Sequence, residues 1–496
     1  AANFVGPLGV AGALYPVKIL FGMAGDMGVF FEHITELARP ITWDSLFSLL
    51  RWPYKALIIL STLSFILNWR RVRVCDLLLW IVFLAFSLTA LRNMTYFALI
   101  ACFVTMRNIS GIGLVRILPF TFRSEKTFHV CGALLSLLVM FKLVDIGSGL
   151  AVAAYYDLDT YQEKKVFLGV AQRDFPHKAA DFLLMNRIGG NFFNDFNSGA
   201  YLIGRLFPQV RVFMDGRTEL RGSDFFINVY KKVWNDGDAA VFDRIVEEYG
   251  LTGAFINTAT TSAPESLLKM IAARKDWRLV YFDHDALIFL RDVPENREAI
   301  AQFGIDLDGW TPPQIDILKI GARGVTPYHH LSRALSLKTL GYLDQAMAEL
   351  DMAVHVDPSY ERAYRARAEI LKERQMFKEA FDNRRLSAIY SGKTVRRMAD
   401  LADAYIDLND LPAAEDLIKE LQGAAPKDGR VRVVVAKDSF KKGADAAAYD
   451  ILRAIMAEGK DPRPLLLDLA DEFERLGQEE RAREIRRIAG SKPVGK

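Results

Sequence analysis

The sequence predicts a multidomain chain with three successive fold types: an α-helical transmembrane segment, an α/β domain with a mainly parallel sheet, and an all-α repeat solenoid. Three observations lead there. Apolar runs crowd the first 150 residues, strand and helix patterns alternate over 170–292, and alanines recur every 34 residues from Ala334 to Ala482. The boundaries that follow are a transmembrane region over 1–150, an α/β domain over 151–295, a linker over 296–326 and five repeats over 327–490. A length of 496 residues suits about three domains. With 51% hydrophobic and 25% charged residues, disorder is excluded as the main state. The 63 basic and 60 acidic residues leave a net charge of +3, so nothing global asks for a nucleic-acid partner. The three cysteines, Cys75, Cys102 and Cys131, argue against a disulfide scaffold or a zinc cluster.

The transmembrane expectation rests on four runs, over 54–69, 74–91, 94–106 and 129–144. A helical span needs about 20 apolar residues. The runs are short individually and persuasive together. Residues 4–25 read as the end of an earlier span or an interfacial helix. Arg70, Arg71 and Arg73 fill one loop, and Arg107, Arg116, Arg123 and Lys126 another, two spans later. Both loops are therefore expected on the cytoplasmic side. Glu36, Arg92 and everything after about residue 150 then fall outside. This describes a multi-pass protein of the bacterial cytoplasmic (inner) membrane. Arg92, at an outer boundary, reads either as a snorkelling end residue or as an anion site.

In the middle segment, helices are expected over 176–186, 198–206, 225–234, 239–249 and 265–274. Strands are expected over 191–193, 210–214 and 253–256, with a closing hairpin over 277–282 and 286–290. Such alternation indicates a layered α/β domain. Two polar clusters lie at strand ends, where α/β sheets place ligands. One contains Asp195, Asn197, Ser198 and Gly199, and the other Asp215, Gly216, Arg217 and Glu219. Capping and turn formation explain both clusters as well as binding does.

The repeats follow from spacing. Ala334, Ala368, Ala402, Ala436 and Ala470 are 34 residues apart, as are Ala346, Ala380, Ala414, Ala448 and Ala482. Gly341, Gln375, Asn409, Gly443 and Gly477 hold the turn between them. This is the tetratricopeptide pattern: two antiparallel helices per unit, with small residues where the helices cross. The resulting superhelix has a concave face of the kind that binds a protein or peptide. No aromatic or single-sign stripe names the partner. His329 and His330 sit at a repeat boundary and read as a solvated helix start.

The whole resembles the bacterial C-type glycosyltransferases, multi-span enzymes related to oligosaccharyltransferases and mannosyltransferases. Phe31-Glu32-His33-Ile34-Thr35-Glu36 is similar to an outer-loop element of that superfamily. Leu91-Arg92-Asn93-Met94 is similar to its Arg-led membrane segment. The stretch from Asn194 to Arg217 occupies the place of the motif opening the soluble domain in oligosaccharyltransferases, but both Trp are absent. The resemblance implies a polyprenyl-phosphate-linked sugar donor held at Arg92. It also implies a catalytic carboxylate at Glu36 and a divalent metal such as Mg or Mn. The superfamily's acidic residues of the first outer loop are not in this sequence. The chain, which begins Ala1-Ala2-Asn3, is therefore expected to be the C-terminal portion of the enzyme. The alternative is a non-catalytic, membrane-anchored repeat scaffold for envelope or polysaccharide assembly.

Overall fold

The structure is a computed structural model. It describes residues 34–48, 50–112, 136–138, 140–145, 175–258, 264–314, 326–457 and 463–490, with single positions and pairs elsewhere. The chain divides into two compact units. The first comprises residues 1–153 and 215–236, the second 154–214 and 237–496.

The first unit is built on helices α1 (Trp52–Leu67), α2 (Val74–Ser87) and α3 (Met94–Ile112), with α3 packing on both others. Among the described residues, no helix is long and apolar enough to cross a membrane. The expected transmembrane segment is corrected on this finding. So are the orientation read from the Arg loops, the outer placement of residues after 150, and the location in the cytoplasmic membrane. The physical reason is length and polarity. The turn at Asn68–Arg73 and the 3-10 turn Leu91–Asn93 hold α1 to 16 residues and α2 to 14. At about 1.5 Å per residue these reach roughly 24 and 21 Å, short of a hydrocarbon core of about 30 Å. The 19 residues of α3 include Arg107 and Asn108, which lower its hydropathy. Residues 4–25 lie largely outside the described residues, and the run over 129–144 is described in part, as helix.

Polar side chains knit the three helices from inside. Tyr54 Oη and Ser87 Oγ are 2.6 Å apart, and Trp80 Nε1 donates to Ser61 Oγ at 2.9 Å. Asn68 Nδ2 donates to Asn108 Oδ1 at 3.1 Å, and Arg107 pairs with the buried Asp76 at 3.1 Å. Ile59, Leu60, Ile66, Val82, Leu99 and Met106 face outward.

The second unit opens with a five-stranded sheet. Its strands are β1 (Gly190–Asn194), β2 (Val210–Val212), β3 (Leu251–Asn257), β4 (Trp277–Phe282) and β5 (Ala286–Arg291), in the order β2-β1-β3-β5-β4. β1 runs parallel to β2 and β3, while β5 is antiparallel to β3 and β4. The sheet is therefore mixed rather than mainly parallel, because the closing hairpin contributes two of its five strands. Buried Leu183, Phe192, Leu202, Phe255 and Ile288 form its core. Gly253 allows a close approach in the sheet, since a Cβ there would lie 2.4 Å from the Phe192 ring.

Between the first three helices and the repeats lie α4 (His177–Met185), α5 (Gly199–Leu206), α6 (Thr218–Phe225), α7 (Lys232–Asp236), α8 (Ala239–Tyr249), α9 (Glu265–Ala272) and α10 (Arg297–Phe303), and ten helices then follow as five antiparallel pairs. The first helices are α11 (Pro327–Thr339), α13 (Glu361–Glu373), α15 (Val395–Asp407), α17 (Gly429–Lys441) and α19 (Arg463–Arg475). The second are α12 (Leu343–Val356), α14 (Phe377–Tyr390), α16 (Leu411–Ala424), α18 (Asp445–Ala457) and α20 (Glu479–Gly490). All ten periodic alanines are buried, none more than 4% exposed. Each pair turns on a residue in the left-handed region, with φ 90° at Gly341, 60° at Gln375 and Asn409, 76° at Gly443 and 73° at Gly477. The residue after each turn donates back to the carbonyl five positions earlier, from Tyr342 to Leu337 and from Met376 to Leu371, each at 2.9 Å. This closure satisfies helix-end carbonyls that would otherwise lack partners. The solenoid is thus a TPR-like helical repeat.

Candidate functional site

The first helices of the repeats, with Thr258, Glu265, Leu268 and Lys269 of the α/β region, line a concave cavity of about 1280 Å3 that extends to Arg475 in the fifth repeat. Its walls are charged because of a phase relation in the repeats. Lys338 and Lys372 are one period apart, and so are Glu369 and Asp403, and Glu373 and Asp407. A cation near the end of one first helix therefore meets two carboxylates on the next. Lys338 Nζ lies 2.9 Å from Glu369 and 3.5 Å from Glu373. Lys372 Nζ lies 3.0 Å from Asp403 and 2.9 Å from Asp407. In the fourth repeat Lys437 takes the place of an acid and pairs with Asp403, Asp407 and Glu472.

The ladder closes on itself. Lys372 also reaches Glu472 at 2.9 Å, linking the second repeat to the fifth across 100 residues of sequence. Ordinary solenoids contact only their neighbours. Arg384 adds a bond to Asp403 at 2.6 Å. Burial opposes ionisation of Asp403, but Lys372, Lys437 and Arg384 together hold its carboxyl well below the usual range. Glu472 is likewise lowered, mainly by Lys437 and Lys372 against burial. Asp403, Asp407 and Glu472 place carboxylate oxygens close enough to share a metal ion. The donor set does not suit one: Lys372, Lys437 and Arg384 already neutralise these three acids, and an ammonium stands where a cation would sit.

The residues singled out in the sequence fall into local arrangements. In the first unit Arg92 and Glu36 face each other at 3.9 Å, both more than half exposed. The Leu91 amide donates to Ala38 O at 2.9 Å and holds the two loops together. Asp215 binds the Arg217 amide at 2.8 Å and its guanidinium at 2.6 Å, with exposed Gly216 between them. Arg217 thereby holds the Asp215 carboxyl below its ordinary value. Glu219 begins the next helix, but its side chain lies outside the described residues.

In the second unit the buried Asp195 accepts the Ser198 amide at 2.8 Å, just ahead of the helix that begins at Gly199. Asn257 Nδ2 donates to Ser198 Oγ at 2.9 Å, and Asn194 ties β1 to Phe213 and Met214. These bonds gather at the carboxyl ends of β1 and β3, while Asn197 points to solvent. Burial pushes the Asp195 carboxyl up to about 6 against hydrogen bonds from Ser198. His330 is not solvated, because its Nδ1 lies 2.7 Å from Glu349, which Arg333 and Trp310 also bind. His329 packs against the His284 ring at 3.6 Å.

The charged ladder was missed in the sequence although its signal is there. It becomes visible when the first helices are aligned at the 34-residue period and opposite charges are compared between successive units.

No protein-family model matches the chain, and no curated relative matches it. Among solved structures it is similar to YrrB, a TPR protein with an unusual peptide-binding site. That likeness is 17% in identity and covers 35% of this chain and 89% of YrrB, with a TM-score of 0.24. The repeat assignment stands on the buried alanines and left-handed turns described above.

Proposed function

We propose that the repeats bind a protein partner by receiving an extended peptide segment in the concave cavity. The observation that carries this reading is the cavity itself, large enough for several residues and walled by polar groups on successive first helices. Peptide ligands of solenoids lie along such faces, because each repeat adds a similar strip of surface. YrrB is described as having a peptide-binding site, which accords with the proposal. The test is selection of random dodecapeptides on the full chain, followed by binding measurements on a Leu335→Trp variant that fills part of the cavity. Peptides that bind the parent and lose at least tenfold in affinity for the variant support the reading. Selection of no peptide, or equal binding by both proteins, overturns it.

A second reading attaches to Glu36 and Arg92, whose apposition favours it. A guanidinium suits a sugar-linked phosphate, and a nearby carboxylate suits an acceptor hydroxyl or a divalent metal such as Mg or Mn. Glycosyl transfer from a phosphate-linked sugar would use Arg92 to stabilise the departing phosphate. Arg92→Ala is expected to abolish binding of such a donor, with the helical circular dichroism unchanged. Unaltered donor affinity would remove Arg92 from that role.

A further inference from the structure

Where α13 and α15 begin, the concave face carries more positive charge than its own acids neutralise. Glu361 is held by Arg397 at 3.0 Å, and Glu369 by Lys338 at 2.9 Å. Asp400 is shared by Arg397 and Arg430, each at 3.1 Å. Each of these three carboxylates thus has a cation. Two cavity-lining cations, Arg365 and Arg396, have no hydrogen-bond or ion-pair partner among the described residues.

Arg396 is exposed. Arg365 differs: its Nε is buried without any partner. Burial, together with Arg397 and Arg362, pushes its guanidinium below its ordinary value against the pull of Glu369 and Glu361. A partly desolvated guanidinium with no hydrogen-bonded anion is costly, because its charge has lost water and gained only the pull of acids already paired with other cations. Elsewhere in the cavity an incoming anion would have to break an existing pair. Here it completes one.

We infer that Arg365, supported by Arg396, anchors an oxyanion of the bound peptide, so that the ligand class is an acidic peptide rather than a neutral or basic one. The anchoring group is a side-chain carboxylate or a phosphoserine phosphate, since both offer the paired oxygens that a guanidinium fork grips. This inference rests on the peptide-binding reading and adds the charge of its ligand.

The experiment extends the dodecapeptide selection on the full chain. Selected peptides are expected to be enriched in Asp and Glu and to bind more weakly at high salt. Arg365→Gln should weaken the best of them at least tenfold, Arg396→Gln two- to fivefold, and Arg365→Lys should recover part of the loss. Matching thermal unfolding of the variants guards against misfolding. Replacing the critical Glu by phosphoserine decides the source: tighter binding assigns a phosphopeptide and weaker binding a carboxylate, and either supports an oxyanion at Arg365. Selected peptides without acidic enrichment, or with affinities indifferent to Arg365→Gln, overturn the inference and leave peptide binding intact. Selection of no peptide removes the peptide-binding reading, and this inference with it.

Discussion

Gln375 occupies a turn whose four equivalents are three glycines and one asparagine, and its φ of 60° is left-handed. A side chain there costs about 1–2 kcal/mol, part of which glycine returns through its looser unfolded state. Gln375→Gly is therefore expected to stabilise the repeats by up to about 1 kcal/mol, raising Tm by roughly 2 °C. A calorimetric scan showing no rise would contradict the strain. Asp195 tests the opposite case. Its folded carboxyl sits at about 6, above the ordinary value. A raised carboxyl binds its proton more tightly when folded, so stability present at acid pH is lost as pH climbs from about 4 through 6. Asp195→Asn keeps the acceptor for the Ser198 amide and should flatten Tm over that interval; an unchanged pH slope would assign it to another group. Asp195 was legible as a strand-end polar residue, but its burial was not, because the groups enclosing it lie on other elements.

At the scale of elements, the charge ladder decides how the repeats are joined. Lys437→Met would leave the buried Asp403 and the half-buried Asp407 and Glu472 with Lys372 and Arg384 alone, one cation too few for three acids. Removing one partner of a buried pair typically costs about 3–5 kcal/mol. The expected result is a lower urea midpoint for the repeat transition, and an unmoved midpoint would show the network to be solvated. Lys372 and Glu472 are suited to a double-mutant cycle. Their coupling energy is expected at about 0.5–3 kcal/mol, the range for residues in contact, despite 100 residues of separation. A coupling near zero would deny the contact. The 34-residue alanines disclosed the helix pairs, because close crossing demands small residues whatever the surroundings. The apolar runs over 54–69 and 74–91 misled for a related reason. Hydrophobicity was visible in them, but the places where α1 and α2 end were set by turns.

Across the whole molecule, the bond between the second and fifth repeats joins helices that a simple solenoid would keep independent. Unfolding of those four repeats should then be a single transition, separable by hydrogen exchange from the three-helix unit. Acid should abolish that cooperativity. The Asp403 and Glu472 carboxyls are lowered in the folded state, so their stabilisation is full above the unfolded value near 4 and is lost as pH falls below it. Helical circular dichroism followed from pH 7 to 2 should show this loss, and a flat trace would refute it. The sequence by itself determined what repeats along the chain: the 34-residue helix pairs, the turns between them, and the strand–helix alternation of the α/β layer. These are local patterns, fixed by spacing and backbone preference. Only the tertiary structure decided the mixed direction of the sheet, the lengths at which the apolar helices stop, and the meeting of Lys372 with Glu472. Each depends on which distant residues become neighbours.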